Sequence, residues 1–111
     1  DIPVTVDVEL DGRLPAPAHV VTYRVCQEAL ANVAKHADAS RIEVVVQGGS
    51  DRVSMTVRDD GVGFDPAAAQ GGTLGLATMT ERVDEIGGRL DVVSAPGEGT
   101  VVVYEWEADP D

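Results

Sequence analysis

A carboxylate, an amide and an ammonium recur along one short stretch of this chain: Glu28, Asn32 and Lys35, with His36 at the edge of the row. From Ala18 to Ala37 there is neither Gly nor Pro, and the pattern is helical. Residues spaced i, i+4 and i+7 stack along one helix face, so their tips converge on one strip of space. Such a set suits a metal-chelated phosphate. The amide oxygen is a hard ligand for Mg²⁺, the carboxylate can hold a metal-bound water, and the ammonium neutralises phosphate oxygens. The same row would also serve as a solvated helix face with an Arg24–Glu28 pair.

A second constellation is Asp59-Asp60-Gly61-Val62-Gly63. Glycines spaced by one residue after a strand permit a tight turn and close approach of a flat ligand to the backbone. An ionised carboxylate at the strand's end only accepts hydrogen bonds, so it favours an amino group on a ligand's edge over a carbonyl. The run Gly71-Gly72-Thr73-Leu74-Gly75-Leu76 leads into a helix, where free N–H groups can cradle phosphates. It is neither a Walker A loop nor a dinucleotide fingerprint. Pro96-Gly97-Glu98-Gly99-Thr100 is by its local chemistry a tight connection, and its Thr100 hydroxyl could serve a polar ligand edge.

The elements that must position these groups follow from periodicity. Val4 to Leu10 alternates apolar and polar, the pattern of a half-buried strand. Within the helix, ~100° per residue gathers Tyr23, Cys26, Leu30 and Val33 in one apolar arc opposite Arg24, Glu28, Asn32 and Lys35. Strands are predicted at Ile42 to Gln47 and Val53 to Asp59, joined by Gly48-Gly49-Ser50-Asp51. In the second, Val53, Met55 and Val57 face one way and Ser54, Thr56 and Arg58 the other. After Phe64 no period survives until a helix near Leu74, carrying Leu76, Met79, Val83 and Ile86 and stopped by Gly87-Gly88. Leu90 to Ser94 and Val101 to Trp106 are the last strands. The order β-α-β-β-lid-α-β-β suggests helices packed on one face of a mixed sheet. Cys26 reads as a small core side chain, His19 has no metal-binding pattern around it, and Tyr104 and Trp106 read as last-strand packing.

Composition narrows the function. The chain has 111 residues, enough for one domain, with 20 acidic and 8 basic residues and a formal net charge of −12. That balance excludes a grip on nucleic acid or direct contact with an anionic membrane, both of which need a positive face. An anionic ligand could still bind through backbone N–H groups, a placed cation or a metal ion. A single Cys excludes an internal disulfide and fits a reducing compartment.

Taken together, the segments resemble a known family. Gln27-Glu28-Ala29-Leu30-Ala31-Asn32-Val33-Ala34-Lys35-His36-Ala37 resembles the N box of the ATP-binding domain of sensor histidine kinases, Asp59 to Gly63 its G1 box, and Gly72 to Leu76 its G2 box. Met79-Thr80-Glu81-Arg82-Val83, Gly87-Gly88 and Ser94 to Thr100 complete a pattern similar to the Bergerat fold, an α/β two-layer sandwich with helices on one face of a mixed sheet and a glycine-rich ATP lid. The Gln-Glu-Ala-Leu opening and the Met-x-Glu-Arg helix look most like the nitrate-sensor and desaturase-regulating subfamily.

The resemblance implies specific roles. Asn32 would coordinate Mg²⁺ bridging the ATP phosphates, with Glu28 as a second Mg²⁺-water ligand or catalytic residue, and Lys35 and His36 would lie at the phosphates. Asp59 would bind the adenine amino group with Thr100 in support, Gly61 and Gly63 would let the base lie close, and Gly72, Gly75 and Leu76 would shape the lid. The implied activity is ATP-dependent phosphorylation of a histidine on a dimerisation helix, for relay to a response regulator, in a cytoplasmic domain of a homodimeric parent that can be membrane-anchored. Residues 1–111 would be the excised catalytic domain, not competent for autophosphorylation alone, since nothing before Ala18 resembles a phosphoacceptor hairpin. Asp60 stands where relatives often carry Asn and is expected to face solvent. An anti-sigma factor serine kinase of the same fold and a non-catalytic nucleotide-gated module are the alternatives.

Overall fold

The computed structural model describes residues 3–34, 39–63 and 76–108. The elements are β1 (Val4–Asp11), α1 (Ala16–Asn32), β2 (Ile42–Gly49), β3 (Arg52–Asp59), α2 (Leu76–Glu85), β4 (Arg89–Ser94) and β5 (Thr100–Glu107). This is the order expected from the periodicity. One five-stranded sheet runs β1-β2-β3-β5-β4. β1 pairs with β2 in parallel and every other pair is antiparallel, so the sheet is mixed.

The two faces of the sheet differ as the alternation demands. Ile42 and Val44 on β2, Val53, Met55 and Val57 on β3, and Val102 and Tyr104 on β5 are buried. Their register places them on one face, since Val44 pairs with Val57 and Val57 with Val102. Met79 and Val83 of α2 and Ala18, Val21, Val25 and Ala29 of α1 pack into the same core. Ser54, Thr56 and Arg58 lie on the other face, as their spacing predicts. The result is a two-layer sandwich with both helices on one side.

α1 corrects one expectation. Its buried residues are Ala18, Val21, Val25 and Ala29, with Val33 buried at its C-cap, while Tyr23 is exposed and Cys26 and Leu30 are only partly covered. The core-facing stripe is therefore rotated roughly a quarter-turn from the arc read off the sequence. The small side chains Ala18 and Ala29 face the sheet, where large ones would hold the helix away, and bulk alone misleads about which face is inside. Consequently Glu28 and Asn32 lie on the shoulder of the buried stripe and are themselves partly buried. Thr22 Oγ1, on this inward side, lies 2.9 Å from the hydroxyl of fully buried Tyr104 and 2.7 Å from the carbonyl of Ala18, which pins the first half of α1 to β5.

β1 departs as well. It is exposed along its whole length, Val4, Val6, Val8 and Leu10 included. Periodicity reports which residues share a face, and it is blind to whether an edge strand is covered. α2 ends one residue earlier than its apolar spacing suggests. Gly87 takes φ 74°, and the N–H groups of Gly87 and Gly88 donate to the carbonyls of Asp84 (3.0 Å) and Val83 (2.9 Å), so Ile86 falls in the terminating turn. Trp106 closes the far end of the sheet by donating its indole N–H to the Ile86 carbonyl at 3.0 Å.

Candidate functional site

Topology brings those of the predicted residues that the structure describes, Glu28, Asn32, Asp59, Gly61, Gly63 and Thr100, to one end of the domain. α1 begins after β1 has ended at Asp11, runs back along the sheet, and the chain re-enters at Ile42. Ile42 pairs with Asp59, Asp59 with Thr100, and Thr100 with Ser94. These four residues form the last row of the helix-side face. Glu28 and Asn32 occupy the closing turns of α1, at the same end.

Asp59 is 7% exposed and, among the described residues, is the polar or charged side chain that the core encloses. Its Oδ1 accepts the Gly61 N–H at 2.8 Å, and the backbone N–H of its ladder partner Thr100 also favours its charged form. Burial pushes its carboxyl above the usual range. The Gly61 N–H opposes that shift, the neighbouring Asp60 charge adds to it, and the Thr100 N–H opposes it. Two oxygens offer about four acceptor positions, so the bond from Gly61 leaves room for a further N–H. A buried acceptor with spare capacity fits an amino group on a flat ligand and repels a carbonyl.

The glycines build the turn around this carboxylate. Gly63 has φ 67°, and a Cβ there would strike the carbonyl oxygens of Ala95 and Gly99. Gly99 has φ 74°, and a Cβ there would strike the carbonyl of Asp59. Gly97 N–H donates to the Val62 carbonyl. The two turns are thus interlocked backbone to backbone, and the space freed at Gly63 on this side is filled by protein. Gly61 is buried beside Asp59.

Two residues at this end make contacts that the sequence reading did not assign. Ser94 Oγ donates to the Gly99 carbonyl at 2.9 Å and lies 2.9 Å from Thr100 Oγ1, fixing the hydroxyl beside Asp59. Asp60, expected to face solvent, is exposed yet engaged. It takes the Ser40 N–H (2.9 Å) and Arg41 N–H (3.0 Å) on Oδ1 and the Ser40 hydroxyl (2.6 Å) on Oδ2. These bonds, the side-chain one first, hold its carboxyl below the usual range. Register could have suggested the pairing, because Arg41 is the residue that would follow Ile42 opposite Asp60.

Lys35, His36, Gly72 and Gly75, together with Phe64, lie outside the described residues; Leu76 is the first residue of α2. Cys26 is half-buried and its thiol is raised by burial, as a packing residue should be. His19 is exposed.

A strand-end aspartate, its interlocked glycine turns and a helix ending beside them define a nucleotide-binding architecture, and comparison with known proteins gives it a family. Residues 19–110 match the histidine kinase-, DNA gyrase B- and HSP90-like ATPases, and the chain belongs to that family as the ATP-binding catalytic domain of a sensor histidine kinase. It is 34% identical over 91 residues to the signal transduction histidine-protein kinase/phosphatase DegS of Brevibacillus brevis, covering 82% of this chain and 24% of that one. It is 40% identical over 93 residues to the histidine-protein kinase/phosphatase UhpB of Salmonella typhimurium, covering 79% of this chain and 18% of that one. The chain therefore spans about a quarter or less of these relatives. The histidine kinase domain of the Erythrobacter litoralis EL346 blue-light activated kinase superposes with a TM-score of 0.75 at 24% identity, over 94% of this chain and 51% of that one. That likeness establishes the α/β sandwich. Among the described residues no helix is long and apolar enough to cross a membrane.

Proposed function

We propose that the domain holds Mg-ATP and donates its γ-phosphoryl group to a histidine on the dimerisation helix of its own kinase, for relay to a cognate response regulator. The observation that carries this reading is the buried Asp59 carboxylate, paired with Thr100 in the row of the sheet at which α1 delivers Asn32. Asp59 takes the adenine amino group, Thr100 supports it, and Gly61 and Gly63 shape the turn beneath the base. Asn32 and Glu28 supply two oxygen donors, few enough for a Mg²⁺ that keeps its waters and phosphate ligands. Lys35 and His36 are assigned to the phosphates, and Gly72 and Gly75, with Leu76 at the start of α2, to the phosphate end of the nucleotide. When bound, Mg²⁺ neutralises charge on the phosphate oxygens.

This division of labour suits the reaction. The imidazole nitrogen attacks the γ-phosphorus, the bond from phosphorus to the bridging oxygen breaks, and ADP departs with the electron pair. The imidazole proton passes to a carboxylate, either Glu28 or an acidic neighbour of the histidine. Phosphoryl transfer asks mainly for positioning and charge neutralisation. In a chain of net charge −12, both must come from local donors.

Calorimetry of the chain with Mg-ATP, followed by incubation of labelled ATP with the parent's histidine-bearing hairpin, tests the proposal. Binding and label on the histidine are expected. Binding that survives Asp59→Asn undiminished would refute the purine contact, and label appearing on a serine of an antagonist protein would move the domain to the serine-kinase reading.

A further inference from the structure

We infer that Asp60 is a positioning residue for nucleotide recognition: its carboxylate clamps the exit of the α1–β2 connection to the Asp59–Gly63 turn and thereby aims Asp59 at the purine. The inference rests on the nucleotide site proposed above and adds a residue to which that site gives no contact with ligand.

The β2–β3 ladder stops one residue short of Asp60. Ile42 and Asp59 are its last pair. One step further, Arg41 and Asp60 would be opposite each other, but the strands end and the backbone bonds cease. The Asp60 side chain takes over there. Its Oδ1 bridges the consecutive N–H groups of Ser40 and Arg41 at 2.9 and 3.0 Å, and its Oδ2 receives the Ser40 hydroxyl at 2.6 Å. Three donors on one carboxylate make charge-assisted bonds, which are shorter and stronger than neutral ones.

The peptide that follows Asp60 carries the Gly61 N–H, and that group donates to Asp59 Oδ1 at 2.8 Å. A continuous path therefore runs from Ser40 and Arg41 through the Asp60 carboxylate and the Gly61 peptide to the acceptor assigned to adenine. Gly61 cannot fix this peptide by itself, because glycine leaves its own backbone dihedrals the freest of any residue. On the other side, the interlock of Gly63 with Ala95 and Gly99 holds the turn from beyond. Asp60 and Gly63 thus brace Gly61 from its two flanks.

The discriminating readout is base selectivity, since a general loss of stability lowers the affinity of all nucleotides alike. Affinities for Mg-ATP and for Mg-inosine triphosphate, which lacks the amino group, are measured by calorimetry for the wild-type chain, Asp60→Ala, Asp60→Asn and Ser40→Ala. Asp60→Ala should lose about tenfold of its preference for ATP, the scale of one or two hydrogen bonds. Asp60→Asn should restore most of it, because the amide oxygen can still take both N–H groups while its NH₂ faces the Ser40 hydroxyl, and Ser40→Ala should fall between. An unchanged preference in Asp60→Ala, or one as low in Asp60→Asn as in Asp60→Ala, overturns the inference. If Asp60→Ala does not fold, Ser40→Ala decides, and an unchanged preference there overturns it. A wild-type chain that makes no distinction between the two nucleotides refutes the purine assignment. In that case amide exchange decides the clamp: faster exchange at Gly61 in Asp60→Ala upholds it, and unchanged exchange overturns it.

Discussion

Asp59 and Thr100 face each other as the terminal pair of the β3–β5 ladder, and the Thr100 backbone N–H is among the groups that favour the Asp59 carboxylate. A charged group is thus enclosed at the end of the sheet, where the turn that follows supplies it with the Gly61 N–H. The cost of that enclosure is set by burial, which holds the Asp59 carboxyl above its usual range.

The sign of the pH dependence follows. The folded state binds the Asp59 proton more tightly than the unfolded state does, so this group's penalty is absent below the ordinary carboxylate range. It grows as the pH rises and is complete above the raised folded value. Asp59→Asn has no such charge to bury. Its stability relative to wild type should therefore rise from acid to neutral pH, checked by urea unfolding at several pH values, while Mg-ATP affinity falls at least about tenfold, as a lost charge-assisted hydrogen bond would require.

Gly63→Ala should destabilise the fold by more than about 2 kcal/mol, through its positive φ and the collision with the Ala95 and Gly99 carbonyls. Gly97→Ala offers the control, since φ there is also positive but no atom lies within 4 Å of the added carbon. Thermal or chemical unfolding of the pair separates backbone strain from the interlock.

Tyr104→Phe removes the hydroxyl that meets Thr22 across the core and should cost about 1 kcal/mol. Thr22 keeps the Ala18 carbonyl as a partner, so the remaining hydroxyl is not stranded. Denaturant titration reads the loss, and an unchanged midpoint would mean that the contact contributes nothing net.

Asn32→Ala should weaken ATP binding in the presence of Mg²⁺ and change it little in chelator, because the amide is assigned to the metal rather than to the base. Calorimetry in the two buffers gives the answer. Equal loss in both would move Asn32 from the metal to the nucleotide itself.

Much of this was readable in the chain because the sheet alternates cleanly. Val53, Met55 and Val57 declared the buried face of β3, and the turn after Asp59 declared itself by its glycines. The face of α1 was misread because Ala18 and Ala29 carry little weight in a hydrophobic pattern, whereas Tyr23 carries much and lies outside. The Asp60–Ser40 contact escaped for another reason. It joins residues 20 apart through a register that exists only once β2 and β3 have paired.

The methyl groups of Ala18 and Ala29, buried to within 2% against the sheet, set the clearance between helix and strands. The seating of α1, and with it the position of Asn32 relative to Asp59, thus depends on two small side chains on the hidden side of the helix. A bulkier residue at either position would act as a shim, shifting the Asn32 carboxamide relative to the Asp59 carboxylate with no change to any group assigned to the ligand.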